Sequence, residues 1–204
     1  MKFKESSHKC PDSRAHMSAE EAIENNVKDH FNSLKRLSYS HYILDSVFDD
    51  YTCDKIINSN SDSPWLINLL YKHMNVINDV AGWKYNITGH EEPQLQKYKV
   101  NNGYPWHRDG IGDHKSVWKE DSIAYDKLYK IGTTRKLTMT ILLNDGKDFE
   151  GGDYKIFLPK NEKISFRNKG SIVFTPAFIL HQVEKIISGE RITLSTFFLG
   201  PPFI

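Results

Sequence analysis

His107 and Asp109 flank Arg108 in "GYPWHRDG", and on an extended strand alternate side chains point to one face. One strand can therefore present an imidazole and a carboxylate to the same metal ion. A third ligand must come from elsewhere, and His181 follows the apolar run "GSIVFTPAFIL", near the end of another predicted strand. Two imidazoles and one carboxylate make a facial triad. That set leaves three adjacent positions of an octahedral iron(II) open for a bidentate co-substrate and dioxygen. In a chain with nine His the pattern alone recurs by chance, so its weight comes from its neighbours. His90 and His114 lack a carboxylate two residues away on a convincing strand and read as surface or loop residues.

Arg191 is the first such neighbour, ten residues after His181 in "GERITLSTFF". A guanidinium buried on a strand needs an anionic partner, and a dicarboxylate co-substrate supplies one through a bidentate pair. Thr193 and Ser195 share the face of Arg191 by alternation, so their hydroxyls can complete a carboxylate pocket. The alternative is a solvated pairing of Arg191 with Glu190 or Glu184, worth about 0 to 1 kcal/mol. Asp109 before Gly110 also reads as a turn, and Gly151–Gly152 reads as a turn.

The elements that must position these residues follow from the pattern of apolar positions. Residues 1–40 are polar, and Ala22, Ile23, Val27, Phe31, Leu34 and Leu37 recur at near-helical spacing, which predicts a peripheral amphipathic helix opened by Ser18 with Glu21 three residues on. "HYILDSVFDD" reads as a short buried strand, "DDYTCDKIINSNS" as a helix ending in Asn and Ser, and residues 64–78 as a second helix. Cys53 is then a buried helix residue.

Beyond Ala81 short runs rich in Val, Ile, Thr, Tyr and Phe recur between Gly, Asn and Asp turns, as in "KLTMTILLND", "GSIVFTP" and "RITLSTFFL". This predicts an α+β protein with a mainly β core, an antiparallel sandwich or barrel-like sheet pair built on helices. Residues 111–134 are polar, aromatic and aperiodic, and a long loop beside a site reads as a lid; its Trp118, Tyr125 and Tyr129 are candidate substrate contacts.

The bulk numbers narrow the classes. With 204 residues, 39% of them hydrophobic, the chain can bury one substantial core, so the expected organisation is a helical extension over 1–40 and a catalytic domain over 41–204. A formal charge of +1 gives no field that would gather nucleic acid or anionic lipid. No apolar run approaches the roughly 20 residues of a membrane span, and the polar first residues are unlike a signal peptide, so the expectation is a soluble, cytoplasmic protein. Two distant cysteines, Cys10 and Cys53, indicate neither a disulfide framework nor a zinc ribbon.

Beyond this reading, "YKVNNGYPWHRD" resembles the Tyr, Gly, Tyr, His-x-Asp signature of prolyl 4-hydroxylase-like iron(II)/2-oxoglutarate oxygenases. The resemblance continues through "VFDDYTCDKIINS", "RKLTMTILLNDGKDFEGGDYKIF" and "KGSIVFTPAFILHQVEKIISGERITLSTFFLGPPF", covering residues 42–203. It implies a double-stranded β-helix of the jelly-roll type with supporting N-terminal helices. It implies Fe(II), 2-oxoglutarate and dioxygen, with ascorbate a candidate further ligand. The implied reaction is decarboxylation of 2-oxoglutarate to succinate coupled to hydroxylation of a substrate carbon, as in procollagen-proline 4-dioxygenases. On this resemblance His107, Asp109 and His181 hold iron, Arg191 anchors the distal carboxylate, and Tyr98 lies near the co-substrate. Many prolyl 4-hydroxylases carry Lys where this chain has Arg191. The expected substrate is a peptidyl-proline; the alternatives are a free amino acid or small metabolite, and a jelly-roll module that binds metal without catalysis.

Overall fold

The computed structural model describes residues 2–4, 40–110, 132–157, 162–164 and 166–203. The expected helix within 1–40 and residues 111–131 of the loop expected over 111–134, with Trp118, Tyr125 and Tyr129, lie outside the described residues; the last residue of that loop, Thr134, already belongs to a strand.

Strand β1 (Lys2–Lys4) pairs with β2 (Tyr42–Asp45), the short buried strand expected from "HYILDSVFDD". Helix α1 (Asp50–Ile57) follows, capped by the Asp49 carboxylate, which accepts from the Thr52 amide at 2.8 Å. It ends at Asn58, and its Cys53 is wholly buried, the thiol pushed up to about 11 by desolvation. Helix α2 (Pro64–Val80) opens on Pro64, where the missing amide costs nothing, and runs two residues past the expected end. Its Leu66, Leu70, Met74 and Ile77 fall on one helical stripe and are buried.

The remaining strands are β3 (Gly89–His90), β4 (Gln94–Tyr98), β5 (Tyr104–His107), β6 (Thr134–Leu142), β7 (Phe149–Gly151), β8 (Tyr154–Ile156), β9 (Glu162–Lys163), β10 (Ile172–Pro176), β11 (His181–Val183), β12 (Ile186–Gly189) and β13 (Arg191–Gly200). They form a large antiparallel sheet in the order β1-β2-β10-β6-β13-β3, with β4 also on β13. A smaller sheet has the order β5-β11-β8-β9, and β12 pairs with β7. This is the mainly β, double-stranded β-helix architecture on supporting helices. No helix among the described residues is long and apolar enough to cross a membrane.

Alternation along β6 shows how the sequence divides the interior. Leu137, Met139 and Ile141 join the core that α2 packs on, with Phe174, Leu194 and Phe198. Leu142, on the opposite face, joins a second core with Ile43, Phe149, Tyr154, Ile156, Phe166, Val173 and Ile186. Arg135, Thr138 and Thr140 of β6 line a cavity instead. Gly170 (φ 79°) makes the tight approach between the sheet and the start of α1: a Cβ there would lie 1.9 Å from the Phe48 carbonyl oxygen.

Candidate metal centre and co-substrate pocket

Cross-strand register brings the two histidines together. His107 ends β5 and His181 opens β11, and the two are direct partners in the small sheet. The expectation that His181 ends the preceding strand is corrected: β10 stops at Pro176, and a turn separates them. Asp109 likewise sits two residues beyond β5, but its amide donates to the Ala177 carbonyl at 2.9 Å, so the chain stays tied to that turn.

The Asp109 carboxylate lies between the rings, Oδ1 3.5 Å from His107 Nε2 and Oδ2 3.6 Å from His181 Nε2. These spacings exceed an ordinary N–H···O bond of about 2.9–3.0 Å. The three side chains offer ligand atoms that all lie within 4.8 Å of one another. His107 Nδ1 faces the Pro105 carbonyl at 2.8 Å, and His181 Nδ1 faces the Ile179 carbonyl at 2.8 Å. A carbonyl only accepts, so each Nδ1 carries the proton and each Nε2 keeps a lone pair for a metal. Thr138 donates its hydroxyl to Asp109 Oδ2. Burial raises the Asp109 pKa, but the two imidazoles beside it and the bond from Thr138 outweigh it, and the carboxyl stays below its usual range. Burial holds His181 below the ordinary histidine value, against the pull of Asp109. The donor set and its fixed tautomers fit a divalent first-row ion.

Away from the triad the cavity, about 280 Å³, runs along the inner face of β4, β13 and β6. Arg191, Thr193, Ser195 and Phe197 alternate inward along β13, as the one-face reading of Arg191, Thr193 and Ser195 required. Arg191 is buried, not paired at the surface, and Glu184 bonds Lys155 instead. Its Nε and Nη2 find no hydrogen-bond partner among the described residues, nor does Thr193 Oγ1. Its guanidinium lies over Tyr98 at 5.5 Å and Phe166 at 5.6 Å. Desolvation lowers its pKa to about 10. Two orphaned donors on a buried cation, with an orphaned hydroxyl on the same strand face, fit a carboxylate. Tyr98 is the Cα partner of Arg191 across β4–β13, and burial raises its pKa.

Sequence reasoning missed several residues of this cavity. Thr138 and Thr140 carried a readable signal, polar positions alternating with Leu137, Met139 and Ile141. Arg135 carried none. Register slips where Phe198 pairs with Leu137 and Leu199 with Arg135, so Lys136 is an extra residue and Arg135 takes the inward place. There Arg135 forms a two-point pair with buried Glu91, Nε–Oε1 2.6 Å and Nη2–Oε2 2.5 Å, and covers the Phe197 ring at 3.6 Å. Tyr154 stacks on His181, centroids 5.3 Å apart, and Tyr104 tilts against His107 at 4.1 Å.

A double-stranded β-helix with a His-x-Asp…His cluster at one end of its cavity and a buried basic residue at the other defines a class, the non-haem metal oxygenases with a carboxylate co-substrate. The sequence matches the model of the 2OG-Fe(II) oxygenase superfamily over residues 93–199, more than half of the chain, and the protein belongs to that superfamily. Its metal is Fe(II) and its co-substrate 2-oxoglutarate.

Among curated relatives, the chain is 27% identical over 108 residues to a PKHD-type hydroxylase of Psychrobacter sp. (strain PRwf-1), covering 51% of this chain and 36% of that protein. It is 43% identical over 56 residues to one of Prochlorococcus marinus (strain AS9601), covering 28% and 25%. The chain thus spans about a third or less of the curated relatives it matches. Among solved structures, it resembles the viral collagen prolyl hydroxylase of Paramecium Bursaria Chlorella virus-1 in its 2OG complex, with a TM-score of 0.55, 17% identity and coverage of 79% and 96%. HygX from Streptomyces hygroscopicus, with nickel and 2-oxoglutarate bound, gives a TM-score of 0.55, 13% identity and coverage of 86% and 87%. These likenesses are of fold.

Proposed function

We propose that the protein is an Fe(II)- and 2-oxoglutarate-dependent hydroxylase acting on a peptidyl-proline. In this reading His107, Asp109 and His181 hold the iron, and Arg191 with Thr193 receives the distal carboxylate of 2-oxoglutarate. The observation that carries it is the buried guanidinium of Arg191, two of its donors without a partner among the described residues, in the same cavity as the triad. Bound together, iron and 2-oxoglutarate supply the oxidising power: the keto acid becomes succinate and carbon dioxide, taking one oxygen atom of dioxygen while the other becomes a substrate hydroxyl.

The protein's own share is placement. Arg191 fixes the far end of the co-substrate, so its keto acid end is presented toward the triad. Thr138 keeps the Asp109 carboxylate oriented, and the Pro105 and Ile179 carbonyls hold the Nδ1–H tautomer of the neutral rings, which leaves Nε2 for the metal. The PKHD-type relatives, named as hydroxylases, support hydroxylation, and the collagen prolyl hydroxylase that shares the fold supports a prolyl substrate. The polar lining, with Gln94, Gln96, Thr140 and Ser195, favours as a second reading the same chemistry on a small polar metabolite. The test is succinate formation from 2-oxoglutarate, with a one-oxygen mass gain sought on proline-containing peptides and on free amino acids. Gain on peptides supports the first reading, gain on metabolites the second. Neither succinate nor mass gain with any substrate would leave a metal-binding module without catalysis.

A further inference from the structure

Gln96 stands on β4 beside Tyr98, one inward position along, and opposite Thr193 of β13. Its Oε1 accepts from the Tyr98 hydroxyl at 3.0 Å and from the Ser195 hydroxyl at 3.3 Å, and Ser195 is bonded in turn to Thr140 at 3.1 Å. In this arrangement the protons of Tyr98 and Ser195 both run toward Gln96. Tyr98 can then show the cavity only lone pairs, which repel a carboxylate. A half-turn of the carboxamide exchanges its oxygen and nitrogen at nearly the same positions. Nε2 then donates to Tyr98 and Ser195, the Ser195 hydroxyl turns to donate to Thr140, and the Tyr98 hydroxyl turns its own proton toward the cavity. Every member of the chain stays bonded in both states, since hydroxyls donate and accept equally well.

We propose that Gln96 is a positioning residue whose carboxamide orientation sets whether Tyr98 offers the cavity a lone pair or a proton, and thereby the affinity for a dicarboxylate beside Arg191. This rests on the assignment of the Arg191 end to 2-oxoglutarate. The structure shows the accepting orientation. A dicarboxylate selects the donating one, and Tyr98 then adds a bond to those of Arg191. A carboxamide does both, whereas a carboxylate at this position accepts alone and an apolar side chain leaves Tyr98 unheld.

The experiment is calorimetric titration of 2-oxoglutarate into the manganese-loaded protein without oxygen, for Gln96→Glu, Gln96→Met and Tyr98→Phe, singly and combined, with Arg191→Ala as reference. Gln96→Glu is expected to weaken binding roughly tenfold, the value of one bond to a charged group, and to cost little more when combined with Tyr98→Phe. Gln96→Met, which frees the Tyr98 hydroxyl, is expected to bind within about threefold of wild type, and adding Tyr98→Phe to it restores the full loss. An equal loss from Gln96→Glu with and without the Tyr98→Phe substitution would mean simple charge repulsion and overturn the proposal. So would a Gln96→Met protein that binds as weakly as Tyr98→Phe. If wild type takes up no 2-oxoglutarate, or Arg191→Ala binds it as well as wild type, the pocket assignment itself fails. Loss in Arg191→Ala alone leaves that assignment standing and sinks only the role of Gln96.

Discussion

At one end of the cavity a carboxylate, Asp109, lies between two imidazoles and accepts from Thr138. At the other, a guanidinium, Arg191, lies among aromatic rings with two donors unbonded among the described residues. The metal end is held by hydrogen bonds that fix its geometry. Each Nδ1 is spoken for by a backbone carbonyl, and Thr138 donates to the Asp109 carboxylate, which turns both Nε2 atoms and the carboxylate toward one point. The Arg191 end is uncompensated: a buried cation faces π-clouds, each contact worth about 0.5–2 kcal/mol, where a full negative charge is wanted. The first end is therefore organised around geometry and the second around an electrostatic deficit, which on the proposed function a dicarboxylate would remove. Stability should respond to the two ligands accordingly.

The largest expected break is at the metal end. Asp109→Ala or His107→Ala should lower iron or manganese affinity by roughly a hundredfold or more, beyond the 10- to 100-fold seen for residues that only support ligands. Equilibrium metal titration checks this, and near wild-type retention in either variant would remove the triad assignment. At the other end, Arg191→Met should separate stability from function. Replacing an unpaired buried ion by an apolar side chain of similar length should stabilise the ligand-free protein by about 1–4 kcal/mol in denaturant unfolding, while 2-oxoglutarate no longer raises the melting temperature. A ligand-free Arg191→Met protein less stable than wild type would show that the guanidinium is already satisfied.

A smaller effect is expected from Thr138→Val, which keeps shape but removes the bond to Asp109. Metal affinity should fall about tenfold, with the 2-oxoglutarate affinity of metal-saturated protein nearly unchanged. A larger loss of co-substrate than of metal would mean that the two ends are not separable. The smallest is Phe166→Leu, costing about 0.5–1 kcal/mol of ligand-free stability through the ring under Arg191. That cost should shrink when combined with Arg191→Met, which a double-mutant cycle in urea measures.

Much of the fold was legible because it rests on local periodicity. A second helix was legible over residues 64–78, and the apolar runs announced β6, β10 and β13. The bounds erred where tertiary contacts prevailed: α2 continues to Val80, whose side chain is buried, and His181 belongs to the strand after its turn. Gln96 and Arg135 were not legible. Gln96 lies on an edge strand whose Gln94, Leu95 and Lys97 are exposed, so alternation gives it no inward mark. Arg135 reaches the cavity only through a register slip.

By itself the sequence determined which chemistry was available: an imidazole and a carboxylate at period two, and an arginine followed by two hydroxyls on one strand face. Those relations follow from the backbone repeat within a few residues. Only the tertiary structure decided that His181 pairs with His107, that Thr138 bonds Asp109, and that Arg191 is buried with no anionic partner among the described residues. Each depends on the register of strands far apart in the chain, which the whole packed core sets and no local repeat encodes.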